Sequence, residues 1–154
     1  MEPETRLFID GELCNAASGK RYPNINPATE EVMGEVADAG PEDMDRAIAA
    51  ARRAFDETDW STNHAFRLHC LKQLHTALLA IDEAFRVQIA AETGGPLGIC
   101  GDMGPQCKTP IGFIEYTLNS LPDYEWSRDL GVAEMMGMRS RRLVEKEAVG
   151  VVAC

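Results

Sequence analysis

The chain has 154 residues, 45% of them apolar and 26% charged, a balance that suits a folded globular protein and excludes an intrinsically disordered one. Fifteen Lys and Arg stand against 25 Asp and Glu, and the resulting net charge of −10 repels a polyphosphate backbone and an anionic membrane surface alike. Neither nucleic acid nor membrane is expected as a partner, and charge scattered along the chain reads as a solvated surface.

The start, Met1-Glu2-Pro3-Glu4-Thr5-Arg6, has neither the basic nor the apolar region of a signal peptide, and no later stretch has enough consecutive apolar residues to span a bilayer. A soluble cytoplasmic protein is the expectation. Cysteines at 14, 70, 100, 107 and 154 are odd in number and irregular in spacing, which suits free thiols in a reducing compartment.

In chain order, Leu7-Phe8-Ile9, Asp10-Gly11 and Glu12-Leu13-Cys14 form a hairpin signal, because Gly accepts the positive φ of a two-residue turn. Ser18-Gly19 marks a further turn. Tyr22 to Ile25 and Glu31 to Val36 are extended and flank Asn26-Pro27-Ala28-Thr29, a tight connection in which Pro27 biases Asn26 away from helix. A helix begins at Gly40-Pro41-Glu42-Asp43, with Pro41 at the first helical position and acids where the dipole is positive. Met44, Ala47, Ile48, Ala51 and Phe55 form its apolar face, and it ends near Asp56 to Trp60.

After the candidate caps Ser61-Thr62, the residues Phe66, Cys70, Leu74, Leu78, Ile81, Phe85 and Ile89 follow one helical stripe. This is one helix, or two broken at Ile81-Asp82-Glu83, and Gly94-Gly95-Pro96 stops it. Leu97 to Lys108 is Gly-rich and aperiodic. A helix over Pro110 to Leu121 presents Ile111, Ile114, Leu118 and Leu121 inward, and Pro122 ends it. Tyr124 to Cys154 reads as loop and extended structure. Its last part, Val149 to Cys154, is β-branched and apolar without alternation, the pattern of a strand covered on both faces; it predicts a chain cut short within a larger α/β protein.

None of the usual chemical constellations is complete. Cys70 lies on an apolar stripe and Cys154 in the expected strand, so both read as packing residues; Cys100 and Cys107 are more accessible but have no His near them in sequence. His64, His69 and His75 fall on different helix faces, and no Cys-x-x-Cys occurs, which argues against zinc. The glycines at 94, 95, 98, 101 and 104 follow a helix rather than a strand and fail the context of a dinucleotide fingerprint. Glu145 and Glu147, with Lys146 opposite, read as charges guarding a sheet edge rather than an acid/base pair.

The order of segments carries more information. Leu7-Phe8-Ile9-Asp10-Gly11-Glu12, Ala17-Ser18-Gly19-Lys20, Ile25-Asn26-Pro27-Ala28-Thr29-Glu30-Glu31-Val32, the helix from Asp45-Arg46-Ala47-Ile48 to Ala54-Phe55 with its trailing Trp60, Glu92-Thr93-Gly94-Gly95-Pro96 and Glu147-Ala148-Val149-Gly150-Val151-Val152 follow one another. Together they resemble the N-terminal portion of the NAD(P)-dependent aldehyde dehydrogenase superfamily.

The resemblance implies an α/β chain of short β hairpins, three or four helices and a β oligomerisation arm, truncated before the Rossmann-like core. Residues 1–122 would be the N-terminal part of the cofactor-binding domain, 123–147 the arm that builds homo-oligomers, and 148–154 the first part of a buried strand. The family oxidises a small aldehyde to a carboxylic acid through a cysteine thiohemiacetal, with NAD or NADP as hydride acceptor and a glutamate as base. None of the five cysteines matches the nucleophile's motif. No catalytic or cofactor-binding residue is therefore transferred, and neither turnover nor tight NAD or NADP binding is expected of this piece alone.

By the same resemblance, the backbone oxygens of Asn24 and Ile25 and the carboxylate of Glu92 match a monovalent-cation site, and Thr109 and Phe113 line the aldehyde entrance tunnel. Gly95 and Ala148 depart from a common lysine and proline, and Pro110 is expected to shorten or kink its helix. Two alternatives remain: a non-catalytic assembly or binding module joining full-length subunits, and a free-standing α/β domain of unrelated role.

Overall fold

A computed structural model describes residues 4–99, 106 and 108–153. Its elements run β1 (Leu7–Ile9), β2 (Glu12–Cys14), β3 (Arg21–Ile25), β4 (Val32–Ala37), α1 (Pro41–Glu57), α2 (His64–Ala80), α3 (Asp82–Thr93), α4 (Lys108–Ser120), a 3₁₀ turn at Leu121–Asp123, β5 (Ser127–Met135) and β6 (Met138–Glu145). The strands form three separate antiparallel ribbons, β1 with β2, β3 with β4 and β5 with β6.

Turn chemistry accounts for the ribbons. Asp10 (φ 57°) and Gly11 (φ 81°) both adopt positive φ, matching the twist of the strands they join. Asn26 closes the second ribbon: its Oδ1 accepts from the N–H of Ala28 at 2.9 Å and of Thr29 at 3.3 Å. The third ribbon turns at Met136-Gly137 and carries a bulge between Asp129 and Val132. Asp129 holds that bulge, accepting from Gly131 N–H at 2.8 Å and from Arg141 Nη2 at 2.7 Å. The Arg141 guanidinium, with the Gly131 N–H, keeps the Asp129 carboxyl below its ordinary range.

Pro41 opens α1 as expected, but the first-turn acid Asp43 does more than meet a helix dipole. It is 2% exposed, and its Oδ2 accepts from Gly40 N–H at 3.0 Å while its Oδ1 accepts from Ala17 N–H at 3.0 Å. Arg46, one turn on, lies 3.4 Å from Oδ1. The two backbone donors to this carboxylate thus tie the start of α1 to the 16–19 turn, beside the buried Ala16; Ile9 and Ala37 are the other buried apolar residues of this first part of the chain. The inward face expected of α1 is half open, with Met44 58% and Ile48 49% exposed.

Two helix boundaries correct the sequence reading. The cap of α2 is Asn63 rather than Ser61-Thr62: its Oδ1 accepts from Phe66 N–H at 2.9 Å, and its own Nδ2 is held by Asp59 at 2.6 Å. The long stripe does break at Ile81, giving α2 and α3. α4 starts at Lys108, ahead of Pro110, which lies in the first turn where its missing N–H has no helical acceptor to lose. Ile111 is buried, Ile114, Leu118 and Leu121 are half-buried, and α4 packs on α2.

Gly94 ends α3 in the left-handed region at φ 67°. A Cβ there would lie 2.9 Å from Pro27 Cγ and 3.2 Å from the Ala28 backbone nitrogen. The end of α3 thus closes directly on the β3–β4 turn, and only glycine permits both the dihedral and the approach.

The buried strand expected from Val149 is not formed. Residues 149–153 join no ladder, and Val149 is 91% exposed; no strand among the described residues supplies the hydrogen-bonding edge that such a segment needs. Cys154 lies outside the described residues. The accessible surface of 11464 Å² far exceeds the roughly 7,700 Å² expected of a compact monomer of 16.9 kDa. The apolar faces of this fold are largely uncovered.

Two outcomes follow from these contacts. Asp43→Asn replaces a carboxylate that serves two backbone donors by an amide with one acceptor, and should lower the thermal midpoint by about 5–10 °C in a circular-dichroism melt. The Gly40 N–H, opposed by burial and helped by Ala17 N–H and Arg46, holds the Asp43 carboxyl below its ordinary value of 3.8. Its stabilisation is complete at neutral pH and lost as pH falls through that lowered value, so acidification from about pH 6 to about pH 3 should depress the parent's midpoint more than the variant's. Gly94→Ala should cost about 1–3 kcal/mol in a urea titration, through left-handed strain and the contact with Pro27.

Candidate functional site

The residues matched to a cation site come together from two elements. Glu92 stands in the last turn of α3, where Gln88 Nε2 donates to its Oε1 at 2.8 Å; Asn24 Nδ2, from β3, reaches the same oxygen at 3.4 Å. Register shifts between Asn24 and Ile25, so the backbone bulges where their carbonyls are at issue. The approach of Gly94 to Pro27 and Ala28 is what brings the end of α3 against this ribbon.

A polar cleft of about 360 Å³ opens here, lined by Glu4, Thr5, Arg6, Tyr22, Asn24 and Glu92 among others. Glu4 and Arg6 form a bidentate pair across it, at 2.8 and 2.9 Å. The Arg6 guanidinium, with its N–H, lowers the Glu4 carboxyl from 4.5 to about 2. Backbone carbonyls at Asn24 and Ile25 together with the Glu92 carboxylate would make a hard oxygen set, suited to an alkali or alkaline-earth cation rather than a soft transition metal. Among the described residues no group of three or more His, Cys, Asp or Glu could hold a metal ion.

Thr109 and Phe113 lie four residues apart on α4, on the face opposite the buried Ile111, and Phe113 is 66% exposed. They therefore share one open surface, one turn apart, and neither lines the cleft that holds Asn24 and Glu92. Of the thiols, Cys14 and Cys70 are half-buried; Cys14 Sγ lies 3.9 Å from Arg46 Nη2. Cys100 and Cys107 lie outside the described residues, as do Gly101 and Gly104.

Gly94 lacks the context of a dinucleotide-binding turn. Gly94 closes a helix C-terminus on a turn, whereas a pyrophosphate cradle opens a helix N-terminus after a strand. Glu145 accepts from Ser127 Oγ at 2.7 Å across the β5–β6 ribbon.

The sequence reading missed one cluster. His64, Arg67, Tyr124, Trp126 and Lys146 converge although they span 82 positions of chain, and His64 stacks on Trp126 with ring centroids 3.7 Å apart. No local pattern announces a contact between residues so distant in sequence.

Comparison with known proteins agrees with the order of segments. The model of the aldehyde dehydrogenase family, as it is described, matches residues 14–154. Among similar proteins, a mitochondrial benzaldehyde dehydrogenase from Antirrhinum majus is 46% identical over 61 residues, 40% of this chain and 11% of that protein. Cytosolic aldehyde dehydrogenase 1 from Rattus norvegicus is 35% identical over 94 residues, 60% of this chain and 19% of that protein.

Among solved structures, a betaine aldehyde dehydrogenase from Staphylococcus aureus in complex with NAD+ superposes with a TM-score of 0.78 at 25% identity, covering 90% of this chain and 27% of that one. The Mycobacterium tuberculosis aldehyde dehydrogenase complexed with NAD+ gives 0.75 at 29% identity, over 82% of this chain and 26% of that one. This chain thus spans about a quarter of the length of these solved relatives. With a family match over nearly its whole length and a fold shared with those structures, this chain belongs to the aldehyde dehydrogenase family.

Proposed function

We propose that this chain supplies the N-terminal part of the cofactor-binding domain (1–122) and the β arm (123–147) of a cytoplasmic NAD(P)-dependent aldehyde dehydrogenase. The whole protein oxidises an aldehyde to a carboxylic acid through a cysteine thiohemiacetal, and its catalytic residues lie outside these 154 residues. The observation that carries this reading is the family match over residues 14–154 on a fold whose surface, 11464 Å², is far too open for a self-sufficient domain of this mass. No step of the oxidation is assigned to these 154 residues. Given an aldehyde and NAD, the purified chain should leave absorbance of the reduced cofactor at baseline, and turnover would overturn the proposal.

Within this reading, the carbonyls of Asn24 and Ile25 and the Glu92 carboxylate hold a monovalent cation that ties α3 to β3. The close approach of Asn24 to Glu92 and the bulge beside it support the assignment. Replacing potassium or sodium by choline should lower the thermal midpoint of the parent by a few degrees, at about 1 kcal/mol of linked binding, and leave Glu92→Gln insensitive. Equal responses of the two proteins would remove the site. On the same reading, Thr109 and Phe113 border the path by which aldehyde enters.

A second reading, an assembly module joining full-length subunits without catalysis, is favoured by the β5–β6 ribbon. Its outer edges carry no partner strand among the described residues, and Val132, Met135, Met138 and Leu143 are all more than half exposed. Co-purification with an intact relative, lost on Val132→Glu with Met135→Glu, is its expected signature. Retention by the double variant would place the contact elsewhere.

A further inference from the structure

The end of the β5–β6 ribbon is rich in sulfur. Of the seven methionines in the chain, three fall within the run Met135-Met136-Gly137-Met138. Met135 ends β5, Met138 begins β6, and the two are register partners, so their side chains leave the same face of the ribbon. Met136 and Gly137 form the turn between them, at φ 52° and 75°. All three methionines stand open to solvent, with exposures of 72% for Met135, 90% for Met136 and 69% for Met138.

Neither turn chemistry nor packing accounts for sulfur here. A two-residue turn with positive φ at both positions favours Asn, Asp or Gly, and Met136 is none of these. Burial gives no reason for an apolar side chain at 90% exposure. The next register pair inward, Glu134 with Arg139, carries opposite charges, the composition that an open strand end ordinarily has. What methionine adds to an aliphatic side chain is a polarisable thioether, whose lone pair needs no deprotonation to act as a nucleophile.

We propose that this tip is a modification site at which hydroperoxides oxidise Met135, Met136 and Met138, reversibly turning the apolar end of the ribbon polar. The sulfur lone pair attacks one oxygen of hydrogen peroxide, an S–O bond forms and the O–O bond breaks. The proton of the transferred oxygen passes through solvent to the leaving oxygen, so the thioether is oxidised by two electrons to a sulfoxide while the peroxide is reduced to water. A dithiol, acting through sulfoxide reductases for both epimers, returns that oxygen as water and becomes a disulfide. The contacts that hold the ribbon's register, from Gly131 N–H and Arg141 to Asp129, lie outside the tip and take no part in the reaction.

The whole chain, treated at neutral pH with hydrogen peroxide and mapped peptide by peptide, tests this. Among the other described methionines, Met33 is half-buried in β4 and Met44 is 58% exposed on α1, so the two serve as internal references. All three tip methionines should gain oxygen before Met44, and about threefold or more faster than Met33. Either reference keeping pace with the tip overturns the proposal. Retention on a phenyl column should fall for the oxidised parent and recover after treatment with both sulfoxide reductases and dithiothreitol. It should stay constant when peroxide is given to the triple variant Met135→Leu, Met136→Leu, Met138→Leu, whose tip is apolar but has no thioether. A shift that persists through reduction, or that appears equally in the triple variant, overturns the site as well. The mapping uses the parent alone and decides the matter even where the variant does not fold.

Discussion

The carboxylate of Asp43, enclosed where the 16–19 turn meets the start of α1, accepts backbone hydrogen bonds from Gly40 and Ala17 and lies beside Arg46. Fully buried apolar residues are few among the described residues: Ile9, Ala16, Ala37 and Ile111. With so little hydrophobic surface removed from water, the hydrogen bonds of one ionised group have to define how α1 meets the strands. An unpaired backbone N–H in that enclosed position would be costly, which is why a residue that can satisfy two donors at once stands at the third helical position.

The remaining elements are hung on this frame by close backbone approach rather than by a large core. Gly94 lets α3 end against Pro27 and Ala28, and that contact sets Glu92 beside Asn24. α4 adds a second small nucleus around Ile111, packed on α2. Between these points the helices keep apolar faces open, including Met44, Ile48, Leu74 and Val87. Such faces are what a family whose solved members are about three times as long would be expected to cover with the rest of its fold.

The β5–β6 ribbon behaves as a separate unit within this picture. Its internal register is held by the Asp129–Arg141 pair and the Gly131 bulge, while its attachment depends on rings and cations at its two ends. Internal order and attachment therefore have different physical origins. One is made within the ribbon; the other joins residues from α2 to Lys146.

Short-range chemistry could be read directly from the residues. Asp10-Gly11, Asn26-Pro27, Gly40-Pro41 and Gly94-Gly95-Pro96 located turns, a helix start and a helix stop, because the dihedrals and missing donors of Gly and Pro act within a few residues. The order of six longer segments, from Leu7–Glu12 to Glu147–Val152, placed the chain in its family. Asp43 was legible as a first-turn acid but not as a buried anchor, since Ala17 lies 26 residues away and nothing local marks it as a donor. Val149 to Ala153 looked like an interior strand from its composition, yet stands exposed, because a strand is made by the neighbour that pairs with it. The His64–Trp126 stack was invisible for the same reason: contact across 62 residues is settled by how helices and ribbons pack, and no periodicity along the chain encodes it.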